Sequence, residues 1–548
     1  MAPTLRPRRV VENTSAAPRG RRTAPQIEST TTNAAPPIHR IPAEILSEIF
    51  QYCQHEPLEL QLVNGKPSKV STFSQGWIRE VTHVCQQWRQ VALNTPSLWS
   101  NICITEGNRN PDSVRVRIAR SKNLPLDLHV STWDPHIVSI SLDVLSRVRT
   151  LALGLPYVMH QLIFLPPSAP LLTSLGITVL IDLSGARTPP ITEQAFFERC
   201  ATPNLKQLAL YYYSINWSQV MFPPTLTHLT IAHVVRSTLT VAIPRTVHIL
   251  TALPLLKFLR LENTFSANDV FNRAADPASP LPHLEYVFLS GNTYPCLHFL
   301  SQVTYPLSAK VYLKSHDIEV LLILRSLVSP MQSVLGMSGR VVDGIAISPT
   351  QISFHTQDPA ATASEPLEPE TQLIPALEIP GSQCFFTWDI SPVSFDEEFH
   401  FDRLISRLPL QGVSYFHVVG GVYKKERRDY WIQLLRVMPN IKTFAFRSGG
   451  AGGDTVPAVP GILALLNHLD EGASLMPQLR NIELDGILLR RSRKVNPVKE
   501  LSAVLDSRRG VEGGAVEKVV LQKCVGVHRG DVELLRRSVE VEWDGFQL

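Results

Sequence analysis

Two stretches near the start of the chain repeat apolar residues at helical spacing. In IHRIPAEILSEIFQYC, Ile41, Ile45 and Ile49 fall four apart, as do Pro42, Leu46 and Phe50, while Glu44, Ser47, Glu48 and Gln51 take the opposite side. That rhythm predicts an amphipathic helix with a wide apolar face. Pro42 suits the first helical position, where a missing N–H is not needed, and Glu44 one turn in favours the helix dipole. In WIREVTHVCQQWRQVALNTPSLWSNICI, Ile78, Val81, Val84, Cys85, Trp88 and Val91 keep the same period with Ala92 beside them. A second helix is therefore expected from Ile78 to Ala92, with Cys85 packed on its apolar face. Asn94, Pro96 and Ser97 end it, and Ser97 can cap a short turn carrying Leu98 and Trp99. Two helices with faces this wide have more apolar surface than they can bury against each other, so something else must cover the remainder.

After Ile104 the pattern changes. Val114 and Ile118 suggest a short helix, then Leu126, Leu128 and Val130 alternate like a strand, as do Leu151 and Leu153. From there one frame recurs: proline, any residue, apolar, two residues, apolar, one residue, apolar. It starts at Pro170, Pro203, Pro224, Pro254 and Pro282, and again at Pro439 and Pro477. The bare three-point frame should arise by chance on the order of a dozen times in such a chain. With 43 prolines in 548 residues, the added proline at a fixed offset is expected only about once. The spacing L-x-x-L-x-L resembles the strand of leucine-rich repeats, and Asn292, three after Leu289, matches the turn asparagine of that family. The intervals are irregular, so the expectation is a degenerate repeat. Val516, Val519 and Leu521 keep the frame without its proline, and a helix over about Val532 to Val539 with Trp543 and Phe546 is expected to close the end.

Composition sets the frame around these elements. A hydrophobic fraction of 44% with 18% charged residues reads as globular. The 52 Lys+Arg against 48 Asp+Glu leave +4, too little to argue for a nucleic-acid partner. Seven cysteines, an odd number with no C-x-x-C pair, point to reduced thiols. No apolar run approaches a membrane span and the start lacks a secretory core, so a cytoplasmic or nuclear location without membrane contact is expected. Residues 1–37, rich in Pro, Ala, Thr and Arg, read as a disordered basic tail. Residues 357–381, dense in Pro and Glu, read as a loop or linker dividing the repeats into two blocks, 105–356 and 382–548.

The order I-P-x-E-I-L-x-x-I-F, then V-C-x-x-W-R, then P-S-L-W, over residues 38–104, resembles the F-box in the form common among fungal proteins. The resemblance implies a small helical module that docks on the Skp-type adaptor of a cullin-RING ubiquitin ligase, while the rest of the chain selects an unknown protein substrate. It puts Pro42, Ile45, Leu46, Ile49, Phe50, Val84 and Trp88 closest to the adaptor or in support of that surface. The expected fold class is α/β: the helical module, then an irregular leucine-rich-repeat-like α/β solenoid. The rival expectation is an interaction scaffold without ligase engagement.

Catalytic constellations do not emerge from the sequence. The run SGGAGGD lacks a following Lys-Ser/Thr, and neither H-E-x-x-H nor G-x-S-x-G occurs. His228, His233 and His248 are scattered, and no cofactor or metal is expected. Basic clusters at Arg490, Arg491, Arg493 and Lys494, and at Lys424, Lys425, Arg427 and Arg428, read as solvated loops with an acidic or phosphorylated partner as the sharper option. Tyr211, Tyr212 and Tyr213 follow the strand Leu208 to Leu210, where alternation puts two of them on one face.

Overall fold

The periodic residues of the first stretch form the first helix, α1 (Ala43–Tyr52), and Pro42 sits one residue before it, its carbonyl accepting the Leu46 N–H at 3.0 Å. The computed structural model describes residues 40–52, 62–63, 66–67, 80–105, 110–132, 134–156, 168–180, 200–212, 221–232, 242–265, 279–316, 320–336, 341–348, 351–356, 382–389, 407–419, 428–448, 469–470, 473–489, 496–509 and 515–546. The basic tail, residues 357–381, the cluster Arg490–Lys494, and Ile78, Tyr213 and His233 lie outside them. Leu62–Val63 pairs antiparallel with Lys66–Pro67 between the two helical blocks.

The second stretch departs from one continuous helix. The chain turns at His83 and Val84, and α2 begins only at Gln86, running to Asn94. Cys85 is the reason: its backbone is extended and its Sγ accepts the Trp88 N–H at 3.5 Å, so the thiol caps α2 rather than packing on a helix face. A short 3-10 turn, Pro96–Trp99, follows and runs directly into the first strand of a long sheet.

Seventeen strands of described residues form this sheet. The first nine pair parallel in sequence order: β1 (Asn101–Ile104), β2 (Leu126–Ser131), β3 (Val148–Pro156), β4 (Ser174–Leu180), β5 (Gln207–Tyr211), β6 (His228–Ala232), β7 (Phe258–Glu262), β8 (Tyr286–Gly291) and β9 (Lys310–Ser315). The next three break that order. β10 (Gly344–Ile347) and β11 (Gln351–Thr356) are antiparallel, and β12 (Gln383–Asp389) lies between β9 and β11. β13 (Tyr415–Val419) then pairs with β10, and β14 (Thr443–Arg447), β15 (Asn481–Asp485), β16 (Lys518–Gln522) and β17 (Glu540–Trp543) continue in parallel. Among the described residues only β11 runs against the rest, which makes the sheet mixed. Among the described residues no pairing joins β17 to β1, so the order of strands has two ends.

The recurring frame acquires a physical meaning here. Its second apolar positions, Leu175, Leu208, Leu229, Leu259 and Val287, are successive Cα partners, and so are its third, Ile177, Leu210, Ile231, Leu261 and Leu289. All ten are buried, forming two aliphatic ladders along one face of the sheet. The first apolar position closes a turn. Leu205, Leu226, Leu256, Leu284 and Leu479 each return their N–H to the carbonyl three residues back, at 3.1–3.3 Å. The proline therefore occupies the second turn position, where a fixed φ helps and an N–H is not needed. One residue past the strand, Tyr212, Asn263, Gly486 and Lys523 adopt left-handed φ values of 55°, 50°, 66° and 51°. The N–H groups of the first three reach the next strand's end at 2.6–2.8 Å. Asn292, expected at such a turn, instead precedes the helix Thr293–Ser301 in extended conformation.

Helices cover the ladder face. Ile243 and Val247 of Ile243–Thr251, Leu297 and Leu300 of Thr293–Ser301, and Val532 and Leu535 of Arg529–Arg536 share one core with the ladders. The C-terminal helix lies three residues earlier than the sequence suggested, because the carboxylate of Asp531 accepts the His528 N–H at 3.1 Å and starts it there. Val539 and Val541 belong to the approach to β17 and the strand itself. No described helix is long and apolar enough to cross a membrane.

Candidate functional site

The two apolar series of α1 separate in space because consecutive helical residues are about 100° apart. Leu46 and Phe50 turn inward, each 1% exposed, and make a small core with Val81, Ala92, Leu98 and Trp99. The Phe50 and Trp88 ring centroids are 5.1 Å apart at 57°, an edge-to-face type of contact. Trp99 is tied from both sides: its Nε1–H donates to the Ala92 carbonyl at 2.9 Å, and the Arg120 guanidinium lies 4.5 Å from its ring centroid. Arg120 ends the helix α3 (Pro111–Arg120), which packs near β1, so this cation–π contact links the helical module to the sheet.

Of the other series Ile41 is half-buried against this core, and the two residues within α1 point out. Ile45 is 47% exposed and Ile49 42%, and Tyr52, one further turn along the same stripe, is 81% exposed. Val84, at the turn before α2, is 55% exposed, and Pro42 is exposed as well. Glu44 and Glu48 flank the stripe in exposed positions. An aliphatic stripe continued by a tyrosine and edged by carboxylates is suited to a partner's apolar groove with a polar rim, not to bond chemistry.

Of the residues singled out by sequence, the structure therefore places Ile45 and Ile49 together on the outer stripe, exposes Pro42 and Val84, and puts Leu46 and Phe50 in the interior with half-buried Trp88 against Phe50. Leu46 and Phe50 are thus core residues of the helical module, and Ile45 and Ile49 its surface. Tyr52, three after Ile49, extends the same exposed stripe, a place its spacing in the sequence marks. The remaining candidates separate as well. Tyr211 is buried at the end of β5 and Tyr212 takes the left-handed turn. His228 stacks on Phe258, and His248 lies on an exposed helix position. Arg428 opens the helix Arg428–Arg436, and its neighbours 424–427 lie outside the described residues. Among the described residues there is no group of three or more His, Cys, Asp or Glu able to hold a metal ion.

Comparison with known families matches residues 38–105 to the family described as F-box-like. The chain thus carries an F-box-like domain, and the match takes in α1, α2, the 3-10 turn and β1, ending one residue past that strand. No curated protein matches the chain.

Proposed function

We propose that this protein is the substrate-recognition subunit of an SCF-type, cullin-RING ubiquitin ligase. The F-box-like domain binds the Skp-type adaptor through the outer stripe of α1, with Ile45, Ile49 and Tyr52 as contacts and Leu46, Phe50 and Trp88 as the packing that holds them. The sheet region acts as a leucine-rich-repeat-like solenoid whose surface holds the target. The protein performs no bond chemistry itself and works in the cytosol or nucleus. Its contribution is proximity, which raises the local concentration of a target lysine near a charged conjugating enzyme.

The single observation that carries this reading is the exposed stripe of α1. A folded helix with its inner face already satisfied still presents Ile45, Ile49 and Tyr52 to solvent. The test is co-purification of a Skp-type adaptor with the wild-type chain and with an Ile45→Asp, Ile49→Asp double variant. The wild type should capture the adaptor and the double variant should lose it while unfolding at an unchanged temperature. Undiminished capture by the double variant would refute the contact assignment. Absence of capture by the wild type would leave a scaffold without ligase engagement.

A further inference from the structure

On the face of the sheet opposite the aliphatic ladders, β6 to β9 carry two rows of rings. In the first, His228 stacks on Phe258 at 5.7 Å and 22°, and Phe258 on Tyr286 at 5.1 Å and 8°. In the second, the Arg260 guanidinium lies 4.6 Å from the Phe288 centroid, and Phe288 stacks on Tyr312 at 5.1 Å and 9°. The strand partnership Phe258↔Tyr286 and Phe288↔Tyr312 fixes both rows by register. Phe258 and Tyr286 stay half-buried, with His228 and Gln207 level with them on β6 and β5, and the small Thr230 and Ala209 level with Arg260.

Phe258, half-buried, has a ring against each of its faces and so offers its electropositive edge outward, whereas Phe288 and Tyr312, each 6% exposed, are buried and back the patch. The charges agree in sign. Glu262 holds Arg260 at 2.5 Å, Glu285 holds Lys257 at 2.8 Å, and Asp389 accepts the Tyr312 hydroxyl at 2.8 Å. Each of these three carboxylates is thereby engaged. Lys206, Lys310 and Lys314 have no ion-pair partner among the described residues, and they border the rings on both sides. Burial pushes the Tyr286 phenol up to about 12, so it adds no negative charge at neutral pH. Half-buried rings bordered by ammonium groups with no ion pair among the described residues are complementary to carboxylates interleaved with apolar side chains.

We propose that this patch is the target-docking site and that it takes an acidic segment of the target protein, with Asp or Glu meeting Lys206, Lys310 and Lys314 and an apolar side chain against Phe258 and Tyr286. The four strands span about 15 Å, the reach of about five extended residues. This rests on the substrate-receptor reading and names the class of substrate.

The test pans random displayed peptides about ten residues long against the full chain, then measures the enriched peptides by fluorescence anisotropy. The expected result is enrichment of peptides with an excess of Asp and Glu around an apolar residue, weakened about tenfold or more by Phe258→Ser with Tyr286→Ser and by Lys310→Glu with Lys314→Glu. Lys310 and Lys314 are half-buried, so Lys206→Glu, at an exposed position, decides the matter if the aromatic pair or the lysine pair unfolds. No enrichment, enrichment without acidic excess, or equal binding by a folded lysine variant overturns the proposal. Equally tight binding of a short single-stranded oligonucleotide overturns it too, by revealing a nonselective polyanion surface. Adaptor capture is measured on the same variants. Its loss in the wild type with acidic peptides still bound would remove the ligase reading and leave the docking site standing.

Discussion

At α1 one step along the chain turns an apolar side chain from core to surface, Leu46 inward and Ile45 outward. Their substitution should therefore separate stability from binding. Leu46→Ala or Phe50→Ala, which opens a cavity against Val81, Ala92 and Trp99, should cost about 2–5 kcal/mol, read as a lower urea midpoint, whereas Ile45→Asp should leave the midpoint nearly unchanged. Lys523 is the reverse kind of site: an exposed residue held at φ 51°. Lys523→Gly removes the left-handed strain and should be neutral to stabilising by up to about 1 kcal/mol, measured by thermal unfolding. His129 makes a pH-dependent contribution. It is buried on β2 beside Cys103, whose Sγ lies 3.8 Å from Nδ1, with Arg117 acting on that thiol. Burial lowers the imidazole pKa below its ordinary 6.5 and raises that of Cys103, so both stay neutral in the folded state. The unfolded chain takes up the proton first as pH falls, so stability is full above about pH 6.5 and declines below it. Urea midpoints at pH 7.5 and 5 should differ less in a His129→Asn variant than in the wild type.

At the scale of elements, the proline-led frame is a turn followed by a strand, and each part answers to a different force. The proline fixes the turn whose closure the Leu256 N–H to Leu253 carbonyl bond marks at 3.2 Å. Pro254→Ala should cost about 0.4–1 kcal/mol, chiefly by loosening the unfolded chain, and a chemical-unfolding comparison checks it. The frame was legible because two aliphatic ladders demand the same residue type at the same register in every strand. The break before α2 was not, because Val81, Val84, Cys85 and Trp88 satisfy a helical period whether or not the chain turns between them. What decided it was a thiol used as a cap, a role that apolar periodicity does not encode. The left-handed turn at Asn263 lacks a local signal for the same kind of reason. Its left-handed φ is dictated by the carbonyl of Ser290 on the next strand, not by its own neighbours in sequence.

For the whole molecule, the continuity of the sheet bears on residues 357–381. Their flanks, Thr356 and Gln383, are paired across the β11–β12 interface. A short Asn-Gly-containing turn in place of 357–381 should therefore preserve a single cooperative transition, with stability raised by about 1 kcal/mol through the smaller closure entropy. Scanning calorimetry would show this, and two separated transitions would contradict it. The contact of Arg120 with Trp99 and the direct run of Pro96–Trp99 into β1 couple the F-box-like domain to the sheet over a few residues. The sequence by itself determined the elements whose signal is local and repeated: the first helix, the closing turn at Pro96, and the ladder strands, since burial on one face imposes a period that can be read along the chain. Only the tertiary structure decided which stripe of α1 stays exposed, that β11 reverses, and that β12 inserts beside β9. Each of those depends on which surfaces meet across long sequence separations, and a residue's own neighbours carry no record of that choice.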